Sequence, residues 1–281
     1  MTLLVFGRSG QVATELRRQG DVTTLGRDAA DLTDPATCVR AIEAHAPRAV
    51  LNAAAHTAVD RAETEEPLAT IVNGAAPGAM ARACAARGIP FLHLSTDYVF
   101  DGSGETPWAE DAPPAPLGAY GRSKLVGEAA VRAAGGPHAI LRTAWVFSAH
   151  GANFVKTMLR LSESRDALSV VDDQVGGPTP AADIAATLLK MAGAMADGAG
   201  GGTYHYAGEP HVSWAGFARE IFARAGRPVT VTGIPSADYP TPAPRPLNSR
   251  LAPGRLAADF GVAPPDWRAG LDTVLAELGG D

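Results

Sequence analysis

Cysteine is scarce in this 281-residue chain: Cys38 and Cys84 stand far apart, and neither has a His or Cys at metal-ligand spacing. That argues against a disulfide framework and a structural zinc site, and for a reducing compartment. A basic excess is missing too. Lysine and arginine number 24 against 30 aspartates and glutamates, for a net charge of −6. Nucleic-acid proteins usually carry a basic domain, so nucleic acid is not an expected partner, although local basic pockets for phosphate remain open. No apolar run approaches the ~20 residues of a membrane span. The most apolar later stretch, 181–196, is broken by Asp183 and Lys190. The N-terminal run Leu3-Leu4-Val5-Phe6 goes straight into Gly7 and is too short for the apolar region of a signal peptide. The 31 glycines and 22 prolines stay short of the ~25–30% that marks disorder. No internal repeat is visible. What remains is a soluble, cytoplasmic, globular protein, long enough to bury a sizeable core without staples.

The first half alternates short apolar runs with helical stretches. Thr2–Phe6, Val22–Leu25, Ala49–Asn52, Phe91–Ser95 and Ala139–Thr143 read as buried strands; Gln11–Arg18, Pro35–His45, Pro67–Arg87 and Tyr120–Ala134 read as helices. Strand–helix alternation implies βαβ units and a parallel sheet covered on both faces. After Trp145 the pattern loosens. Helices are expected over Phe154–Glu163, Ala181–Met195, Ser213–Ala225 and Asp266–Leu278, a strand over Thr203–Ala207, and irregular chain over 172–180 and 238–246. The expected fold is α/β, a Rossmann-type doubly wound parallel sheet with a smaller C-terminal substrate-binding part. Residues 1–145 would form the nucleotide domain and 146–281 mainly the substrate part, with about 175–207 returning to the first.

Four motifs carry chemistry. Gly7-Arg8-Ser9-Gly10-Gln11-Val12-Ala13 follows the first strand and opens a helix. Glycines there let backbone approach a pyrophosphate, and the helix start offers free N–H groups. At the end of the second strand stands Leu25-Gly26-Arg27-Asp28. An acid at this place binds the ribose 2′-OH of NAD, whereas an arginine accommodates a 2′-phosphate. Gly26 and Arg27 therefore favour NADPH, with NADH the alternative if Asp28 is the acid. Asp31 and Leu32 can reach the adenine, or Asp31 is simply solvated. After the third strand, the small side chains of Asn52-Ala53-Ala54-Ala55-His56-Thr57 leave room for a cofactor against the backbone, and Asn52 can also be a turn former. His45 and His93 read as structural.

The fourth motif is Leu94-Ser95-Thr96-Asp97-Tyr98-Val99-Phe100 followed by Tyr120-Gly121-Arg122-Ser123-Lys124. Tyr120 and Lys124, four apart, share a helix face. A neighbouring ammonium lowers the pKa of a phenol and brings it towards working pH. Thr96, at a strand end, can hydrogen-bond a substrate carbonyl oxygen and steady negative charge developing there.

These residues resemble the extended short-chain dehydrogenase/reductase family and, within it, the dTDP-4-dehydrorhamnose reductases. The resemblance covers nearly the whole chain, through Phe6–Val12, Val50–Asp60, Leu94–Phe100, Tyr120–Glu128, Arg142–Phe147, Asn153–Leu161, Asp173–Thr179 and Tyr239–Leu251. It implies an NAD(P)H-dependent reduction of the C4 ketone of dTDP-4-dehydro-L-rhamnose. By the same resemblance Thr96, Tyr120 and Lys124 take the catalytic places. Gly7, Ser9, Gly10, Gln11, Val12, Arg27, Asp31, Leu32, Ala53, Ala55, His56, Thr57 and Leu94, together with Tyr120 and Lys124, surround the cofactor. Thr96, Asp97, Tyr120, Trp145, Asn153 and Arg245 face the dTDP-sugar substrate; core packing is the rival reading of Trp145, and a solvated loop charge that of Arg245. Some relatives form a metal-bridged dimer through glutamates. Glu15 is present, but Ala181-Ala182-Asp183 offers no second glutamate, so no metal is expected, in a monomer or homodimer. Another nucleotide-sugar epimerase or reductase, or an NADP-binding regulatory subunit, is the alternative function.

Overall fold

β1 (Leu3–Phe6) is buried at all four positions, as a central strand covered on both faces must be. The computed structural model describes residues 2–279. Beside β1 lie β2 (Val22–Leu25) and β3 (Ala49–Asn52), followed outward by β4 (Phe91–Thr96), β5 (His138–Thr143) and the strand Gly202–His205. All five pairings are parallel. From β1 the chain steps to β2 on one side and then back across to β3, so the winding direction reverses between β1 and β3. In open α/β sheets the crevice at such a reversal, beyond the strand C-termini, is where ligands bind.

Alternate residues of the strands feed two cores. On one face Leu3, Val5, Leu51 and Leu141 pack with Leu16 of α1 (Gln11–Gln19) and with Ile184 and Leu188 of the helix Ala181–Ala196. On the other, Leu4, Phe6, Val50 and Ile140 meet Ile42 of α2 (Pro35–His45) and Met80 of the helix Ala76–Ala86. Asp34 caps α2 by accepting from Ala36 N–H, with Pro35 in the first turn. A third core joins the helices Phe154–Ser162, Trp214–Arg224 and Trp267–Gly279 through Val155, Phe217, Ile221 and Leu271. The chain returns to the main sheet between these helices, since Gly202–His205 pairs with β5.

Several stretches depart from the sequence reading. The helix expected over Pro67–Arg87 is interrupted: Glu66–Thr70 is α-helical, Ile71–Ala75 is a π-turn, and α-helix resumes at Ala76. Pro77 has no N–H to give the carbonyl of Asn73 four residues back, and the helix widens at that point. The region 172–180, expected to be loop, contains the two-residue strands Val175–Gly176 and Thr179–Pro180. The strands Ala167–Val171 and Thr230–Ile234, which pair in parallel with each other, and the helix Gly254–Phe260 were not expected; their apolar residues alternate too weakly to show in the sequence.

Candidate active site

The crest above β1 is built for backbone to meet a ligand. Gly7 has φ +118°, a conformation that side chains strain to adopt, and a methyl on it would touch the backbone of Ala53 and Ala54 at 3.4 Å. Gly10 caps α1 without a side chain, and a methyl there would meet no protein atom within 4 Å. Ser9 is exposed beside it. With no acid in the first turn of α1, its free N–H groups and positive end open on clear space, which fits a dinucleotide pyrophosphate. Val12 turns into the core. Gln11 is held from outside the turn, its Oε1 accepting from Ser148 Oγ (2.9 Å) and Asn153 Nδ2 (3.0 Å). Asn153 also caps the helix Phe154–Ser162 by accepting from Lys156 N–H. Its side chain is thus occupied in aligning α1 with that helix.

At the end of β2, a side chain on Gly26 would collide with Asp28 and with the guanidinium of Arg8. Arg8 and Asp28 form an ion pair across that glycine at 3.2 Å, both exposed. Arg27 points to solvent, 81% exposed, with Asp31 at 3.8 Å. Asp31 accepts from Thr33 N–H at 2.9 Å, which holds its carboxyl below the usual range; Leu32 beside it is half-buried. Arg8 is a site residue that the sequence reading missed, because its place beside Gly26 depends on a contact 20 residues away in the chain.

Beyond β3, Ala53, Ala55 and His56 are half-buried and Thr57 exposed. The His56 backbone is clamped by Asn73, which accepts from its N–H (2.8 Å) and donates to its carbonyl (3.0 Å). Its ring lies 3.2 Å from Glu65.

The fourth motif converges where β4 ends and the helix Ala119–Ala133 begins. Thr96 Oγ1 accepts from Tyr98 N–H (3.2 Å) and donates to Asp97 Oδ1 (3.0 Å). Burial pushes the Asp97 carboxyl up to about 6, against hydrogen bonds from Ser249 and Thr96. Burial and the nearby Asp97 push the Tyr120 phenol up to about 12, while hydrogen bonding with Thr96 pulls the other way. Tyr98 packs edge-on against Tyr120, ring centres 5.5 Å apart. Lys124 is buried, donates to the Leu94 carbonyl at 2.6 Å, and is brought down to about 8 by that burial. Two glycines let the helix sit this close: methyls on Gly121 and Gly127 would overlap the carbonyls of Tyr98 and Asn73. Behind the motif, Glu128 and Arg142 form a buried two-pronged pair at 2.8 and 2.7 Å, with Ser95 donating to the same carboxylate.

A cavity of about 760 Å³ opens beside Tyr98 and runs past Phe154, Trp214, Tyr239 and Arg245. Arg245 is held there by Asp60 at 2.8 Å. Trp145 has φ +49° and stacks flat on Trp214. Thr179 holds this strained turn, donating from its N–H to the Trp145 carbonyl and from Oγ1 to that of Ala144. Outside the lining of this cavity, Glu15, His150 and Glu277 draw together, with Arg18 between them at 3.2 Å from Glu15 and 2.7 Å from Glu277. Glu277 comes from the helix Trp267–Gly279, far along the chain from Glu15. The guanidinium of Arg18 and the ring of His150 already answer these carboxylates.

The family described as RmlD substrate binding domain matches residues 1–279. The chain belongs to this family. Among reviewed relatives, dTDP-4-dehydrorhamnose reductases of Sinorhizobium fredii (44% identical, 95% of this chain and 94% of the relative) and Burkholderia thailandensis (44%, 99% of each) align nearly end to end. The crystal structure of the family's Bacillus anthracis dTDP-4-dehydrorhamnose reductase in complex with NADP superposes with a TM-score of 0.93 at 31% identity, over 98% of this chain and 99% of that one. The RmlD match thus spans both the nucleotide crest and the helices around the cavity. Among the described residues no helix is long and apolar enough to cross a membrane.

Proposed function

We propose that this chain reduces the C4 ketone of dTDP-4-dehydro-L-rhamnose to give dTDP-L-rhamnose, with NADPH as preferred reductant and NADH as the weaker one. The carrying observation is the convergence of Thr96, Tyr120 and Lys124 at one end of the crest, in a chain that aligns end to end with reductases of that name. The dinucleotide would lie with its pyrophosphate over Gly10 and Gln11, its adenine ribose by Arg8 and Gly26, and its nicotinamide end near Tyr120; when bound, it supplies the hydride.

Tyr120 gives its proton to the C4 oxygen. Thr96 turns its hydroxyl from Asp97 to that oxygen and steadies the charge that develops. Lys124 feeds the proton balance of Tyr120. Trp145, Trp214 and Arg245 hold the nucleotide-sugar in the cavity, Arg245 as the local cation for a diphosphate. The NADPH preference rests on Arg8 and Arg27 flanking Gly26, with the Asp28 carboxylate at this strand end engaged by Arg8. Oxidation of NADPH and of NADH by the purified protein with dTDP-4-dehydrorhamnose tests this directly. Turnover with both, faster with NADPH, is expected; folded protein that binds NADPH without turnover would overturn it.

A further inference from the structure

Behind Lys124 lies a buried chain of polar groups whose hydrogen-bond direction is fixed. Ala54 N–H donates to Asn52 Oδ1 at 3.1 Å, which leaves Asn52 Nδ2 facing His93 Nδ1 at 3.2 Å. An amide NH₂ only donates, so Nδ1 accepts and the neutral ring carries its proton on Nε2. That Nε2 lies 3.4 Å from Lys124 Nζ, which also donates to the Leu94 carbonyl. Asn52, His93 and Lys124 are all 2% exposed or less, so the Asn52–His93 and His93–Lys124 contacts are shielded from bulk solvent. An ammonium has donors only. Opposite Nε2–H, the amine form of Lys124 alone completes the chain, and the other ring tautomer would only move the donor–donor contact to Asn52.

We propose that His93, oriented by Asn52, is a positioning residue of the reduction that stabilises the amine form of Lys124, so that Lys124 releases a proton in each turnover instead of serving as a fixed charge. This rests on the reductase reading for the part Lys124 plays. The surroundings agree. Glu128 is the anion nearest in effect to Lys124, and its carboxylate is already engaged by Arg142, Arg132 and Ser95. Tyr120 lies one turn before, and Asn52 and Asn73 are neutral. Burial, with Lys124 adding to it, holds the His93 ring well below the ordinary histidine range, so it stays uncharged.

In the step itself the Tyr120 O–H bond breaks and an O–H bond forms on the C4 oxygen as hydride reaches C4. The phenolate regains a proton from the Lys124 ammonium through a bridging water. Lys124 is left as an amine that accepts from His93 Nε2–H, and it recovers its proton from solvent. Partial burial and Asp97 push the half-buried Tyr120 phenol up while burial brings Lys124 down, so the transfer runs from Lys124 to the phenolate.

Long-range proton–nitrogen correlation spectra of ¹⁵N-histidine-labelled protein, without nucleotide, test the ring directly, with His93 assigned by its loss in His93→Gln. The expected result is a neutral ring protonated on Nε2, whose shift steps as Lys124 titrates. An Nδ1–H or cationic ring overturns the proposal whatever the activity. In kinetics, His93→Leu is expected to raise the basic limb of the kcat profile by about one pH unit, the shift equivalent to a tenfold change in proton affinity. KM for both substrates should hold, and His93→Gln, which keeps a neutral donor, should recover most of the rate. Equal losses in both variants with an unmoved limb would reduce His93 to packing. An inactive wild type with the Nε2 tautomer in place would count against the proposed reaction and leave the His93–Lys124 pairing standing.

Discussion

The indole of Trp145 lies flat on that of Trp214, ring centres 3.6 Å apart and planes 11° from parallel. Trp145 follows the last residues of β5, and Trp214 opens a helix of the third core. The stack therefore ties the end of β5 in the main sheet to the helices of the third core, which carry Phe154 and Trp214 of the cavity. Gly176 makes room for it: a methyl there would press on the Trp145 ring at 2.9 Å.

Removing one ring should loosen the sugar nucleotide and spare the dinucleotide. Aromatic pairs contribute ~0.5–1.5 kcal/mol beyond burial, so Trp214→Ala is expected to raise KM for the dTDP-sugar by roughly tenfold. KM for NADPH should be unchanged. Near-ultraviolet circular dichroism should lose the signal of coupled indoles, and a retained signal would show that the pair is not stacked in solution.

Tyr120→Phe removes the proposed proton donor and leaves the ring against Tyr98. Losing a positioned acid typically costs ~10²–10⁴-fold, and that fall in kcat is expected, with NADPH affinity kept within a few-fold by fluorescence titration. Full activity in this variant would remove Tyr120 from the mechanism.

Arg8 is expected to read the 2′-phosphate. Arg8→Ala should lower kcat/KM with NADPH by about tenfold, the scale of one charge-assisted hydrogen bond, and leave NADH nearly untouched. The ratio of the two cofactors under competition is the measurement. An equal loss with both would assign Arg8 to general packing.

The Glu128–Arg142 pair should dominate local stability. Breaking a buried pair by removing one partner costs ~3–5 kcal/mol, so Arg142→Met should lower the urea midpoint markedly. Burial alone would raise the Glu128 carboxyl; Arg142, Ser95 and Arg132 together bring it below its ordinary value. Its folded pKa is thus depressed, and the stability it contributes is present above the unfolded value of ~4.3 and is lost as pH falls through the folded one. Glu128→Gln should flatten the acid limb of the stability curve below about pH 4.

The α/β fold was legible because β1, β3 and β4 are short apolar runs between helices, and because Gly7 and Gly10 mark the turn into α1. Tyr120 and Lys124 were legible because a helix repeats every turn. What escaped the sequence was whatever depends on contacts between distant segments. Arg8 meets Asp28, Glu15 meets His150 and Glu277, and His93 meets Lys124 across a buried wall. Asn153 had an expected place by the substrate, yet its amide lies against Gln11. No local pattern announces such pairs, since each residue alone reads as an ordinary surface charge, cap or core histidine.

Pro77 breaks a helix in a place where the break is used. The π-turn it leaves sets Asn73 to grip the backbone of His56 on one side and Ser123 on the other, while its own carbonyl faces Gly127. Replacing a helix proline with alanine is a standard route to a sturdier protein. In this chain the same repair would give Asn73 back to its own helix and slacken the His56 loop and the helix that carries Lys124, so a gain in thermal midpoint would come with a less ordered Lys124.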